Sequence, residues 1–211
     1  MAKRDRRSSV TAGGRLFGGS ERPVEGIRII GGNFRGRKLH YSGDLRTRPM
    51  KDRLREAVFN LVGPEVRGTH AIDLFAGTGA LAFEALSRGS QRATLIEQHR
   101  PTANIIRQNA AILGVESQIE IVSGNTFVWA RREPDLGTSP WAVFCSPPYA
   151  FFVDRLDEML ELVGYVFQRA PLGSVFVVEA DDRFDFQRLP DAEQWDVRAY
   201  PPAVVGIYRK R

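Results

Sequence analysis

Two segments of the chain carry residue types that could do chemistry together. One is Ser146-Pro147-Pro148-Tyr149, at the exit of the apolar run Val143-Phe144-Cys145; the other is Asp73-Leu74-Phe75-Ala76-Gly77-Thr78-Gly79-Ala80, at the exit of Ala71-Ile72. In the first, the prolines fix φ and remove two backbone donors, so the Ser146 hydroxyl and the Pro147 carbonyl stand out as acceptors. An exocyclic base amine needs such acceptors: its lone pair is delocalised into the ring, and hydrogen bonds from its N–H groups favour a more tetrahedral, nucleophilic nitrogen. Tyr149 adds a ring on which the base would stack. Stacking is worth about 1–3 kcal/mol per base, enough to offset much of the few kcal/mol needed to unstack it. Ser146, Pro147, Pro148 and Tyr149 are therefore the candidate catalytic set, with a plain Pro-rich turn as the alternative.

The glycine segment runs from strand through turn to helix, where open α/β sheets bind nucleotide-like ligands. Its natural partner is Glu97, which ends Thr94-Leu95-Ile96-Glu97 and is suited to accept hydrogen bonds from ribose hydroxyls. Gly77, Gly79 and Ala82 also satisfy the dinucleotide spacing G-x-G-x-x-A, which brings NAD into consideration. Asp73 argues against it, because a carboxylate there sits poorly beside pyrophosphate and well beside the ammonium of a methionine moiety. S-adenosyl-L-methionine fits better, and its sulfonium is already an activated donor, so alignment with the amine matters more than a strong base. Asn125 follows the next strand; its side-chain oxygen could meet an adenine amino group or cap a helix, two compatible roles. The candidate cofactor contacts are Asp73, Phe75, Ala76, Gly77, Thr78, Gly79, Glu97, Gln98, Asn125 and Thr126.

These residues need a scaffold, and the pattern supplies one. Strands are expected at 70–75, 93–97, 119–122 and 141–145, alternating with helices at 79–88, 101–113, 125–132 and 152–168. Such alternation implies a parallel sheet covered by helices on both faces. The run 174–179 reads as a further buried strand, and 195–199 with 204–209 as an antiparallel terminal pair. Ahead of this unit, Ile27–Ile30 and Phe34–Leu39 flank Gly31-Gly32 as a hairpin, and Leu54, Ala57, Val58, Leu61 and Val62 recur at helical spacing before Gly63-Pro64.

The bulk composition suits one full core, with 43% hydrophobic residues in 211, and a small N-terminal addition. The division expected is a disordered basic tail over 1–25, a hairpin-and-helix extension over 26–65, and the main domain over 66–211. The tail would be a solubilising leader or an RNA-gripping arm. The net charge of +5 would attract phosphate backbones or anionic surfaces. Arg28, Arg35, Arg37, Lys38, Arg46, Arg48, Lys51, Arg53 and Arg55 crowd one stretch with few acids, which favours a phosphate-binding surface over an ordinary solvated face. No run approaches membrane-span length and the first residues are polar, so a cytoplasmic protein without membrane attachment is expected. The lone Cys145 and the scattered His40, His70 and His99 indicate no metal site.

The order Asp-x-Phe-x-Gly-x-Gly, acidic strand end, then Ser-Pro-Pro-Tyr resembles the class I amino-methyltransferases. More closely, Arg28-Ile29-Ile30-Gly31-Gly32-Asn33-Phe34-Arg35-Gly36-Arg37-Lys38-Leu39, Arg48-Pro49, Asp52-Arg53-Leu54-Arg55-Glu56-Ala57-Val58-Phe59-Asn60 and Asp73 to Leu81 together resemble the RsmD family, across roughly residues 27–180. Their joint occurrence is far more specific than any single motif. The resemblance implies an α/β, Rossmann-like, seven-stranded class I methyltransferase sheet, mostly parallel with an antiparallel C-terminal strand. It also implies S-adenosyl-L-methionine as donor and a guanine N2 of bacterial 16S rRNA, in the small ribosomal subunit or an assembly intermediate, as acceptor of a monomeric enzyme. Two positions depart from the family: Ser146 stands where Asp is usual, and Met50 where Thr follows Arg-Pro. A hydroxyl accepts a weaker hydrogen bond than a carboxylate, and serine at this position also occurs in some DNA amino-methyltransferases. A DNA N4-cytosine or N6-adenine methyltransferase is thus the second reading, although the chain lacks room for a separate target-recognition domain. A noncatalytic RNA-binding assembly factor is the third, and an NAD oxidoreductase the most distant.

Overall fold

Apolar runs that are buried on both sides make strands of a covered parallel sheet, and the alternation of side chains divides each run between two cores. In the computed structural model, which describes residues 26–41, 43 and 49–211, these runs are β1 (His70–Asp73), β2 (Arg92–Glu97), β4 (Trp141–Cys145) and β5 (Val175–Asp181), with β3 (Ile119–Ser123) a half-exposed edge strand. β6 (Asp196–Tyr200) and β7 (Ala203–Arg209) complete one sheet of order β3-β2-β1-β4-β5-β7-β6. β1 to β5 run parallel; β7 lies antiparallel between β5 and β6. Ala71, Leu95, Phe144 and Val177 face a core shared with α1 (Asp52–Val62), α2 (Ala80–Ser87) and α3 (Arg100–Leu113). Ile72, Ile96, Cys145 and Val178 face the opposite core with α4 (Thr126–Ala130), α5 (Phe151–Asp154) and α6 (Leu156–Arg169). No helix among the described residues is long and apolar enough to cross a membrane. The expected tail over 1–25, and Arg46 and Arg48, lie outside the described residues.

Helix ends follow local chemistry. α3 carries Pro101 in its first turn and stops at Gly114, whose φ of 72° is left-handed. The helix expected over 152–168 is two helices, because Arg155 leaves helical geometry at φ −134°. Its guanidinium lies 4.2 Å from the Phe127 ring centre and 5.0 Å from that of Phe151, and bonds Glu158 at 2.9 and 2.8 Å. Hydrophobic spacing encodes none of these contacts.

The N-terminal hairpin is held by buried polar side chains on α2 and α3. Arg28 and Lys38 bridge, Ile29 N donates to Arg37 O at 2.9 Å, and Leu39 N to Ile27 O at 2.7 Å. The fully buried Glu84 carboxylate accepts from the backbone N–H groups of Ile30 and Gly31 and from Arg88 Nε, all at 2.8 Å. Ser87 Oγ accepts from Phe34 N at 2.9 Å, and Asn109 accepts from His40 N at 2.7 Å while donating to His40 O at 3.0 Å. Ile27, Ile29 and Leu39 then join the core of α1 to α3.

Arg55 corrects the sequence reading. It was grouped with the phosphate-facing cations, yet its side chain is fully buried, donating to Met50 O at 3.0 Å, Arg28 O at 2.6 Å and Asp52 Oδ1 at 2.8 Å. Arg55 therefore ties the hairpin to the start of α1. Helical spacing places it on the same face as Val58, Phe59 and Val62, which are also buried.

Candidate active site

The registers bring four polar side chains to one edge of the sheet. β2, β1, β4 and β5 are neighbours in that order, and Asp73 pairs with Leu95 of β2 and Phe144 of β4. Two residues further along those strands stand Glu97 and Ser146. Cys145 pairs with Val178, so Ser146 is level with Glu179. By alternation, all four share the face of Ala71, Leu95, Phe144 and Val177. β1 and β4 flank the point where strand order reverses, the usual ligand crevice of an open α/β sheet.

Asp73 is the most perturbed of the four. It is buried, and among the described residues no side chain pairs with either carboxylate oxygen; the backbone N–H groups of Ala82 and Phe75 bear on it. Burial pushes its carboxyl up to about 7, with the Glu97 charge adding to the rise and the backbone of Ala82 and Phe75 opposing it. A buried anion without a partner is unfavourable unless a cation joins it, so the ammonium of S-adenosylmethionine fits this position.

Glu97 braces the glycine turn. Its Oε2 accepts from Gly77 N at 2.8 Å and its Oε1 from His99 N at 2.7 Å, which joins the loops after β1 and β2. Each oxygen retains a further lone-pair direction for a ribose hydroxyl. Burial raises the Glu97 carboxyl, and the His99 and Gly77 amides oppose that shift. Gly77 and Gly79 adopt φ values of 51° and 77°. A Cβ on Gly79 would lie 2.8 Å from Phe83 Cε2 and 3.1 Å from Leu95 Cδ2, so only glycine suits the close turn. Phe75, Ala76 and Thr78 lie in that turn, with Ala76 N donating to Ile96 O at 2.9 Å.

Asn125 caps α4, one of the two compatible roles the sequence allowed. Its Oδ1 accepts from Phe127 N at 2.9 Å and Val128 N at 3.2 Å. Its Nδ2 donates to Gln98 Oε1 at 3.2 Å, which leads the loop after β3 to that after β2. Thr126 is buried, and its Oγ1 has no partner.

The Ser-Pro-Pro-Tyr turn is anchored by a residue that sequence reasoning missed. The Ser146 hydroxyl donates to Glu179 Oε2, and Tyr149 Oη donates to Glu179 Oε1 at 2.7 Å. The signal was present: Val178-Glu179 repeats the apolar-then-acidic strand ending of Ile72-Asp73 and Ile96-Glu97. Pro147 is buried and Pro148 exposed; the Pro148 carbonyl accepts from Phe151 N at 2.9 Å. Phe75 meets both Phe127 and Phe151 with ring centres 6.0 Å apart, so the loops after β1, β3 and β4 converge. Cys145 lies beneath them with its thiol pushed well up by burial, then by the charges of Asp73 and Glu179, which makes it a poor nucleophile.

Arg28, Arg35, Arg37, Lys38, Lys51 and Arg53 are exposed. Arg28 pairs with Asp52 at 3.0 Å, and Arg37 donates to the Ile112 carbonyl. Among the described residues no group of three His, Cys, Asp or Glu is placed to hold a metal ion.

A seven-stranded sheet of this order, with a glycine turn, an acidic strand end and Ser-Pro-Pro-Tyr at adjacent strand ends, defines a Rossmann-like class I methyltransferase, the class that uses S-adenosylmethionine. A family model described as Conserved hypothetical protein 95 matches residues 27–203. The chain belongs to that family, the RsmD family. It is 40% identical over 137 residues to ribosomal RNA small subunit methyltransferase D of Escherichia coli (strain K12), a match spanning 65% of this chain and 66% of the relative, or about two thirds of each. The solved structure of yhhF from Escherichia coli superposes with a TM-score of 0.72 at 30% identity, covering 88% of this chain and 98% of that one. An RNA methyltransferase from Salinibacter ruber, solved with S-adenosyl-L-homocysteine, shares the fold at a TM-score of 0.57 and 19% identity, over 77% of this chain and 94% of its own.

Proposed function

We propose that this chain is an S-adenosylmethionine-dependent RNA methyltransferase that modifies a guanine N2 of 16S rRNA, acting as a cytoplasmic monomer on the small ribosomal subunit or an assembly intermediate. The observation that carries the reading is the buried Asp73, without a side-chain partner, beside Ser146, on adjacent strands and one sheet face at the reversal point. Asp73 with Phe75, Ala76, Gly77, Thr78 and Gly79 would hold the methionine end of the cofactor, Glu97 and Gln98 the ribose, and Asn125 and Thr126 the rim near the adenine. The bound cofactor supplies an activated methyl group. The chain's own residues do the rest: Ser146 Oγ and the Pro147 carbonyl accept the N–H groups of the target amine, and Tyr149 stacks on the base. The amine's proton leaves late, to water. The exposed Arg28, Arg35, Arg37, Lys38, Lys51 and Arg53, with Arg46 and Arg48, would meet phosphates. The name of the Escherichia coli relative, a small-subunit rRNA methyltransferase at 40% identity, supports the same substrate.

The test is incubation with labelled S-adenosylmethionine and either immature small subunits, naked 16S rRNA or duplex DNA, followed by nucleoside identification. Label in N2-methylguanosine of rRNA is the expected result. Label in DNA alone would overturn the RNA assignment in favour of a DNA amino-methyltransferase, and no label in any substrate would favour an assembly factor.

A further inference from the structure

Glu179 is only 5% exposed, and no basic side chain pairs with it among the described residues. Its two oxygens are instead taken by two hydroxyls, one from each end of Ser146-Pro147-Pro148-Tyr149. Both O–H groups point at Glu179, which accepts from each. A hydroxyl has one proton; once it is directed inward, Ser146 Oγ offers only lone pairs in its remaining directions. Donating that hydrogen bond also polarises the O–H and makes Oγ a better acceptor in turn.

We propose that Glu179 is a positioning residue that sets the hydrogen-bond polarity of the site, fixing Ser146 as an obligate acceptor and holding the Tyr149 ring at the angle at which the base stacks. The consequence is selectivity for a target group that carries N–H donors. A carbonyl or other pure acceptor placed at Ser146 would meet lone pair against lone pair, whereas an exocyclic amine finds an acceptor already oriented. This inference rests on the amine-methylating function proposed above, and it goes beyond it by assigning the discrimination to a residue that does not touch the base. The β5 position matters: Glu179 is one residue past the last β4–β5 pair, where its side chain spans the distance to both ends of the turn.

A double-variant cycle tests it. Glu179→Gln replaces one acceptor oxygen with a donor NH2, which forces one of the two hydroxyls to reverse. In single-turnover methylation of the rRNA substrate, the rate constant should fall about 10- to 100-fold, the cost of one buried hydrogen-bonding group turned the wrong way. RNA KM and the affinity for S-adenosylhomocysteine by calorimetry should stay within about threefold, which reports an intact cofactor site. Ser146→Ala should cost a similar amount, and the double variant should be no slower than the slower single one, because the residues act as a unit. Glu179→Asp keeps an acceptor-only group and should recover part of the rate. It also carries the test if Glu179→Gln fails to fold, with loss beyond that of Ser146→Ala counting against the proposal. Additive losses in the double variant, or a Glu179→Gln rate equal to wild type, would overturn the assignment and leave the methyltransferase reading in place. A wild-type protein that binds S-adenosylhomocysteine but methylates no nucleic acid would overturn that reading and this one with it.

Discussion

Replacing Asp73 by Asn separates the stability of the fold from the needs of the ligand. The Asp73 carboxyl is raised from 3.8 to about 7 in the folded chain, with burial as the leading cause. The folded state therefore holds a proton that the unfolded state has released throughout that interval. The stabilisation is fully present below the unfolded value near 3.8 and is lost as pH rises through about 7. For one group with these two values, the loss between pH 5 and pH 8 is about 2–3 kcal/mol. Urea titrations of the ligand-free wild type should show this fall, and Asp73→Asn, which cannot ionise, should flatten it. At pH 8 the variant should be the more stable of the two, by about 1–3 kcal/mol once an unsatisfied buried amide is set against the relieved charge. S-adenosylhomocysteine retains the ammonium that the carboxylate would pair with. Its affinity for the wild type should rise up to about tenfold per pH unit below 7 and level off above, because binding must displace the proton. Asp73→Asn should bind it weakly at every pH. A calorimetric affinity that is flat from pH 5 to pH 8, or an Asn variant that binds as tightly as wild type, would refute the ammonium-pairing argument.

Other outcomes follow from the same structure. Gly79→Ala combines a φ of 77° with a Cβ 2.8 Å from Phe83, so it should lower stability by about 1–3 kcal/mol and weaken S-adenosylhomocysteine binding, both measurable by thermal melts with and without ligand. Glu84→Ala removes the acceptor of two backbone N–H groups and leaves buried Arg55 and half-buried Arg88 with less compensation. It should cost about 3–5 kcal/mol and expose the hairpin to limited proteolysis before the sheet domain is cut. Charge removal at exposed Arg35 and Lys38 should weaken RNA binding at low salt and flatten its log–log salt dependence by about 0.7–0.9 per lost phosphate contact. Cofactor affinity should be untouched.

The chemistry-bearing residues were legible because strand ends announce themselves. Ile72-Asp73, Ile96-Glu97 and Cys145-Ser146 each close an apolar run with a polar group, and Gly77, Asn125 and Pro147, in the loops after β1, β3 and β4, are residues that break or cap elements. The same logic would have marked Glu179, which was passed over as the last residue of a buried strand. Its partner, Ser146, lies 33 residues away, and the link exists only because β4 and β5 pair in one register. Ser146 looked weakened by comparison with the carboxylate usual at its position; in the fold, that carboxylate lies one hydrogen bond further away.

Arg55 marks the opposite failure. Its charge suggested solvent and phosphate, but Glu84, Asp52 and the backbone carbonyls of Met50 and Arg28 enclose it, and no local spacing reports Arg28 and Glu84, which lie 27 and 29 residues away. Glu84, Ser87 and Asn109 fasten the hairpin for the same reason: a buried polar residue reads in sequence like an exposed one until its acceptor or donor is placed. Periodicity and strand-end chemistry, being local, determined the class of fold and most of the candidate site. Which hydroxyl points where, which carboxylate lacks a partner and which cation is buried were decided by the pairing of remote segments, because hydrogen bonding and desolvation depend on what surrounds a group in space.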